Sequence, residues 1–170
     1  MRKLVLIFSV IFIVGCGFKL RGVIDWPAEY QTIYMDGYTP SNRSSFYSAV
    51  QKFLPEHVDV VTNNQQADVI IQILSETQTT RTISALAANR DTEEVVTLTI
   101  VAQVLDKTGK VILPPTTLSK ERDFTYDESN LLGKSTDFAN VNRILRQELA
   151  AMFVRRLEAA LKVSNEIGSK

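Results

Sequence analysis

Apolar and polar residues alternate along the middle of the chain, as expected of β-strands with one buried face. The clearest segment covers residues 94–105, where every second side chain from residue 96 to residue 104 is aliphatic. A second segment, 68–82, begins with aliphatic residues and continues as a threonine-rich stretch. A third segment covers 111–126, with Pro114-Pro115 as a break or edge bulge. Between segments 94–105 and 111–126 lies the sequence Asp-Lys-Thr-Gly-Lys, which is typical of a hairpin turn. We therefore predict three long neighbouring strands.

Two other segments have the apolar spacing of α-helices. The first follows Ser41, a good N-cap, and ends at Pro55. A short strand is predicted before it at 32–35, and residues 58–61 are a candidate for another. The second helix runs from residue 137 to about 163. Its apolar residues lie on one stripe: Val141, Leu145, Leu149, Met152, Phe153, Leu157 and Leu161.

These elements predict an α+β fold, with two helices packed on one face of a mostly antiparallel four-stranded sheet. Antiparallel pairing puts the end of the first long strand beside the start of the second and the end of the third. The loops 83–93 and 127–136 should therefore share one tip of the domain, next to the start of the long helix. Five basic residues lie in or beside this tip: Arg81, Arg90, Lys120, Arg122 and Lys134.

Two interpretations of the basic tip are open. Acidic residues are present there as well, so the tip is either a solvated sheet end whose charges have no function, or a surface that binds an anionic ligand or partner. In the second interpretation, lysine and arginine side chains at the strand ends hold phosphates, arginine in a bidentate manner. The N-terminus of the long helix would add a partial positive charge.

The N-terminal residues have the pattern of a lipoprotein signal. Two basic residues precede an apolar run over residues 4–14. A helix of that length rises about 17 Å, short of the roughly 30 Å hydrocarbon core of a bilayer, so the pattern predicts a secretory signal. Ile-Val-Gly-Cys, ending at Cys16, resembles the lipobox of bacterial lipoproteins. In that family the cysteine sulfur is alkylated with a diacylglyceryl group, and the signal is cleaved before the cysteine. The new amino group of the cysteine is then acylated, typically with palmitate. The alternative is an ordinary signal followed by a free buried thiol.

The chain is thus divided into a signal peptide at 1–15, a lipidated N-terminal tether at 16–30, a single α+β domain at 31–163 and a flexible tail at 164–170. Two or more acyl chains hold a protein firmly at a membrane. Gly17 stands where lipoproteins retained at the inner membrane carry aspartate. The resemblance therefore implies a lipid anchor in the outer membrane, with the domain on the periplasmic side.

Composition narrows the classes of function. The chain has 19 Lys and Arg against 19 Asp and Glu, so general attraction to nucleic acid is not expected. It carries no G-x-S-x-G, H-E-x-x-H, P-loop or C-x-x-C motif, and its one histidine, His57, is interpreted as a loop residue. We predict no catalytic residue, no metal site and no cofactor. One enzyme alternative remains, a lipid-anchored periplasmic hydrolase that uses carboxylates such as Asp123 and Asp127.

A family resemblance begins at the predicted mature terminus. Residues 16–21, Cys-Gly-Phe-Lys-Leu-Arg, resemble the mature start of the lipopolysaccharide-assembly lipoprotein family, which has Cys-Gly, an aromatic residue, a basic residue or histidine, and then Leu-Arg. The order of predicted elements agrees over nearly the whole chain. In the third long strand, Arg122, Phe124 and Asp127 match an Arg-x-Phe…Asp pattern of the family.

The resemblance implies a function. Members of the family sit as a plug in the lumen of the outer-membrane lipopolysaccharide-assembly β-barrel, as a heterodimer with it, help it fold, and bind lipopolysaccharide on its way to the outer leaflet. A polar lumen suits the polar strand faces 75–82 and 97–103. The alternative is a structural lipoprotein adaptor of the cell envelope that binds no ligand.

The resemblance also implies which residues bind lipopolysaccharide. Lys134 falls at the family's basic position shortly before the last helix. Arg90 falls in the loop where the family carries an arginine, and Arg81 is the alternative for that role. The expected lipopolysaccharide ligands are Arg90, Lys134, Arg81, Arg122 and Lys120.

Overall fold

A computed structural model of the chain describes residues 26–37, 45–86, 91–127, 129 and 131–168. The elements are five strands and two helices, with a 3-10 turn at Asn64–Gln66. The strands are β1 (Thr32–Asp36), β2 (Asp59–Val61), β3 (Val69–Leu86), β4 (Asp91–Asp106) and β5 (Val111–Asp127), and the helices are α1 (Phe46–Gln51) and α2 (Leu131–Gly168).

The strands form one mixed sheet in the order β2-β1-β3-β4-β5. β3, β4 and β5 are antiparallel neighbours, as predicted, but β1 runs parallel to both β2 and β3. The prediction of a four-stranded, mostly antiparallel sheet is therefore corrected to a mixed sheet of five strands, in which β1 is parallel to both of its neighbours. The helix between β1 and β2 carries the chain back to the end from which β1 started, and this crossover makes the two strands parallel.

The core lies between the helices and one face of the sheet, as the alternation on β4 predicted. The side chains of Val96, Leu98, Ile100, Ala102 and Val104 are completely buried. Against them pack the buried residues of α2's apolar stripe, among them Val141, Leu145, Leu149, Phe153, Leu157 and Leu161. We call this covered side the helix face of the sheet and the other side the open face.

The two helices differ from their predicted bounds. The N-cap of α1 is Ser45, whose hydroxyl accepts a hydrogen bond from the backbone of Ser48; Ser41 lies outside the described residues. α2 begins at Leu131, before Asp137, and continues to Gly168. In its first turns, the hydroxyls of Ser135 and Thr136 donate hydrogen bonds back to the carbonyl of Leu132.

The segment just before β1 contributes to the core. Trp26 is buried, and its indole nitrogen donates a hydrogen bond to the carbonyl oxygen of Tyr30. The hydroxyl of Tyr30 lies 3.5 Å from that of Ser164, near the end of α2. Folded contacts therefore extend to residues on both sides of the predicted domain limits. In the described part of the chain, no helix is long and apolar enough to span a bilayer.

Several shifts in strand register and one turn shape the long strands. The predicted bulge at Pro114-Pro115 is present, since Leu113 pairs with Val104 and Thr116 with Ala102. Leu74 forms a second bulge between the paired residues Ile73 and Ser75. The hairpin between β4 and β5 is as predicted: Asp106 accepts hydrogen bonds from the backbone of Thr108 and Lys110, and Gly109 has a φ of +85°.

Candidate functional site

The predicted tip of the domain exists. The last residue of β3, Leu86, pairs with Asp91 at the start of β4, and Asp91 also pairs with Asp127 at the end of β5. α2 begins just beyond, at Leu131. The ends of all three long strands and the start of the long helix therefore meet.

Lys134 lies in the first turns of α2 and is bound to both neighbouring strands. Its ammonium group donates to the carboxylate of Glu94 at 3.0 Å and to the hydroxyl of Tyr126 at 2.7 Å, and it lies 3.9 Å from the centre of the Tyr126 ring. The Tyr126 hydroxyl donates to the same Glu94 oxygen at 2.8 Å. This three-residue network fixes the start of α2 on β4 and β5.

The network shifts the pKa values of its charged members. Burial alone would raise the pKa of the Glu94 carboxyl, but hydrogen bonds from Lys134 and Tyr126, with the lysine charge, hold that pKa below its ordinary value. Hydrogen bonds to Tyr126 and Glu94 raise the pKa of Lys134. The pair therefore stabilises the fold between the ordinary pKa values of a carboxyl and an amine, and the stabilisation is lost as the pH falls through the folded pKa of Glu94.

Glu94→Gln is expected to lower the free energy of unfolding by about 1–2 kcal/mol at neutral pH, because it removes the carboxylate that Lys134 and Tyr126 share. The loss should shrink in acid, where the wild-type carboxylate is itself protonated. Urea unfolding at neutral and acidic pH measures both values. Glu121→Gln, an exposed glutamate on β5, is the control. An equal loss at both pH values would contradict this account of the network.

The remaining basic candidates do not form one cluster. Arg122 and Lys120 lie on the helix face of the edge strand β5, where Arg122 is paired with Glu148 of α2 at 2.6 Å and Lys120 is exposed. Arg81 pairs in register with Val95, which places it on the open face. Arg90 and Cys16 lie outside the described residues.

The open face of the sheet is a second candidate surface, and neither of the two described helices covers it. Hydroxyl side chains cross three strands in register, from Thr77 on β3 through Thr99 on β4 to Ser119 on β5. The hydroxyls of Thr99 and Ser119 are 2.9 Å apart. Thr79 and Thr97 form the next row. Alternate residues of 75–82 and 97–103 thus form one continuous surface on the open face, whereas Glu76 and Gln78 lie on the helix face.

Sequence reasoning missed the roles of Glu94 and Tyr126. A signal for Glu94 was present, because it continues the series 96, 98, 100 that faces the core and is therefore an acidic residue at a buried position. Such a carboxylate needs a partner. No metal site competes for it, since no three metal-ligating side chains come together in the described ranges.

The chain is similar to proteins of one known family. A family model described as "LptE: Lipopolysaccharide-assembly" matches residues 30–157. The chain belongs to the LptE lipopolysaccharide-assembly family. The LPS-assembly lipoprotein LptE of Pectobacterium atrosepticum is 30% identical over 155 residues, which are 91% of this chain and 83% of that protein. The LptE of Photorhabdus laumondii is 28% identical over 158 residues, with the same coverage, 91% and 83%.

Solved structures share the LptE-family fold found here. An uncharacterized lipoprotein B from Nitrosomonas europaea superposes with a TM-score of 0.63 at 20% identity, over 84% of this chain and 91% of that one. The rare lipoprotein B from Shewanella oneidensis gives a TM-score of 0.61 at 15% identity, over 79% and 98%. At these identities the likeness concerns the fold alone.

Proposed function

We propose that this chain is an outer-membrane lipoprotein that plugs the lumen of the lipopolysaccharide-assembly β-barrel, assists its assembly, and binds lipopolysaccharide for delivery to the outer leaflet. Membership of the LptE family supports a role in lipopolysaccharide assembly. Cys16 is the proposed site of the lipid anchor, which would hold the domain on the periplasmic side. The proposal of a plug is supported by the open face of the sheet, which is rich in hydroxyl side chains and is not covered by either described helix.

The open face suits a polar surface better than a hydrophobic core or a lipid bilayer. Its central positions, Thr77, Thr97, Thr99 and Ser119, offer donors and acceptors but little aliphatic area. The lumen of a large barrel is polar, so its side chains and waters would satisfy these hydroxyls. The helix face is already occupied by α1 and α2. The open face is therefore the surface proposed to lie against the barrel.

The tip is proposed to contact the phosphates of lipopolysaccharide. Lys134 keeps about a third of its side chain exposed, 33%, although Glu94 neutralises part of its charge. Arg90, which follows β3 in the chain and lies outside the described residues, is proposed to join it at the same end. Lys120 and Arg122, on the adjacent edge strand, extend the basic surface along the helix face. Arg81, on the open face, is the least suited of the five to act with Lys134 on one ligand.

Arg90→Asp combined with Lys134→Asp is expected to weaken lipopolysaccharide binding about tenfold or more while leaving barrel copurification intact. Two charged contacts would be removed, together worth at least about 1.4 kcal/mol, which corresponds to a factor of ten in affinity. The matched control reverses two exposed lysines at the opposite end, Lys107→Asp with Lys110→Asp. If the charge-reversed variant binds lipopolysaccharide as tightly as the wild-type protein, the tip is not the binding site.

A folding control is needed because Lys134 belongs to the network with Glu94. Thermal melting of the charge-reversed protein separates loss of binding from loss of structure, and Lys134→Gln with Arg90→Gln provides a milder pair. The adaptor alternative predicts a different result with the wild-type protein: the barrel copurifies, but lipopolysaccharide does not raise the melting temperature. The hydrolase alternative has no support in the names of the relatives, which describe assembly lipoproteins.

A further inference from the structure

A groove with a volume of about 590 Å³ lies between α1, the N-terminal half of α2 and β3. It opens on the helix side of the domain, away from the open face. Lys52, just after α1, lines one side, Gln78 on β3 lies in the wall, and Arg143 and Arg146 of α2 line the other side. None of the sequence motifs pointed to this groove, because its residues come from three separate elements.

The charge of the groove is positive. Lys52, Arg143 and Arg146 line it, and none of its described lining residues is acidic. Arg146 is held by Glu76 on β3, to which its guanidinium donates at 2.9 and 3.0 Å. Within the described residues, Arg143 makes one long contact, 3.4 Å from its Nη1 to the side-chain oxygen of Gln147. The guanidinium of Arg143 and the exposed ammonium of Lys52 are thus placed to bind an anion.

Amide side chains supply the rest of the polar lining. Gln78, Asn140, Asn142 and Gln147 all line the groove. Asn142 is 5% exposed; its Nδ2 donates to the carbonyl of Phe138 at 2.9 Å, while its buried Oδ1 has no hydrogen-bond partner in the described structure. Amides that both donate and accept match the hydroxyls of a sugar. Cations beside such amides match a sugar that carries a phosphate or carboxylate.

From this lining we infer that the groove is a second binding site, for a phosphorylated or acidic sugar, separate from the contacts of Lys134. The groove adjoins the tip. Phe138 lines the groove, and its ring centroid is 6.1 Å from that of Phe124. The Phe124 ring stacks on the ring of Tyr126, which contacts Lys134. One extended anionic saccharide would therefore reach both sites along the start of α2. The inference rests on the proposed function only in its choice of a lipopolysaccharide-derived probe.

The test is calorimetric titration of the full-length lipidated protein in detergent. The probes are intact lipopolysaccharide and the deacylated, phosphorylated core oligosaccharide prepared from it. Lys52→Glu with Arg143→Glu should weaken binding of the oligosaccharide about tenfold or more, since each cation contributes a charge-assisted contact. The matched control, Lys107→Glu with Arg155→Glu, makes the same charge change at exposed positions away from the groove and should alter affinity by less than about twofold. Arg146 is left unchanged because it binds Glu76.

The outcomes separate this site from the proposed function. Oligosaccharide binding that is lost in the groove variant but kept in the control supports the groove, with free sugar sufficient as ligand. If only intact lipopolysaccharide binds in a groove-dependent manner, the ligand is the lipid-linked sugar. Wild-type lipopolysaccharide binding that the groove variant leaves unchanged overturns the groove and leaves the tip standing. If the wild-type protein binds neither probe, both the groove site and the proposed binding of lipopolysaccharide are wrong. The proposed plug is tested separately, by copurification of the barrel. If the charge-reversed groove variant has a lower melting temperature than the wild-type protein, Lys52→Gln with Arg143→Gln is used in its place.

Discussion

Ile100→Asp is expected to unfold the domain. Ile100 is completely buried at the centre of β4, on the helix face, and pairs in register with Glu76 on one side and Leu118 on the other. An aspartate there would be a buried charge beside an existing carboxylate, at a cost of several kcal/mol. A domain of this size is stable by only about 5–15 kcal/mol, so little of the folded population should remain.

Circular dichroism with a thermal melt measures this effect. The control is Thr99→Asp, the neighbouring residue on the open face, where the carboxylate reaches solvent and the melting temperature should change little. The pair tests which face of β4 is buried as well as how tightly it is packed. An unchanged melting curve for Ile100→Asp would refute the packing of the helices on this face.

Phe153→Ala is expected to lower the free energy of unfolding by about 3–5 kcal/mol, which corresponds to a fall in melting temperature of roughly 10 °C. The Phe153 ring is completely buried in α2 and meets the ring of Phe46 in α1 edge to face, with centroids 5.9 Å apart. Val163→Ala, an exposed position on α2, is the control.

The same pair of rings tests how α1 is held. If Phe153 anchors α1 to α2, then Phe46→Ala and Phe153→Ala combined should cost less than the sum of the two single changes, because both remove the same contact. Additive losses would show that the two helices are stabilised independently.

The sequence predicted the elements whose burial follows a regular period. On β4 the alternation identified the core-facing residues, and on α2 the spacing identified the stripe that covers them. β2 has only three residues, too few for an alternation to be distinctive. The direction of β1 depends on the crossover through α1, which no local pattern encodes. Near the start of α2, the contacts of Lys134 with Glu94 and Tyr126 join residues far apart in the chain, and no local pattern encodes such contacts.

The basic tip illustrates how a single residue alters such a prediction. Ile71 and Ile73 face the core, and an unbroken alternation would put Arg81 on that face too. The bulge at Leu74 shifts the alternation by one residue, so that Arg81 lies on the open face, apart from Lys120 and Arg122. The same shift brings Thr77 and Thr79 onto the open face. The hydroxyl-rich surface and the division of the basic residues therefore have one structural origin.

The central proposal, that the open face lies against the lumen of the assembly barrel, is tested most directly by photocrosslinking in intact cells. A photoreactive residue replaces Thr99 at the centre of the open face in the full-length chain, and the covalent adducts are identified by mass spectrometry. The proposal predicts that the major adduct contains an outer-membrane β-barrel protein. A Thr99 position that gives no barrel adduct, in a protein that is folded and anchored, would contradict it.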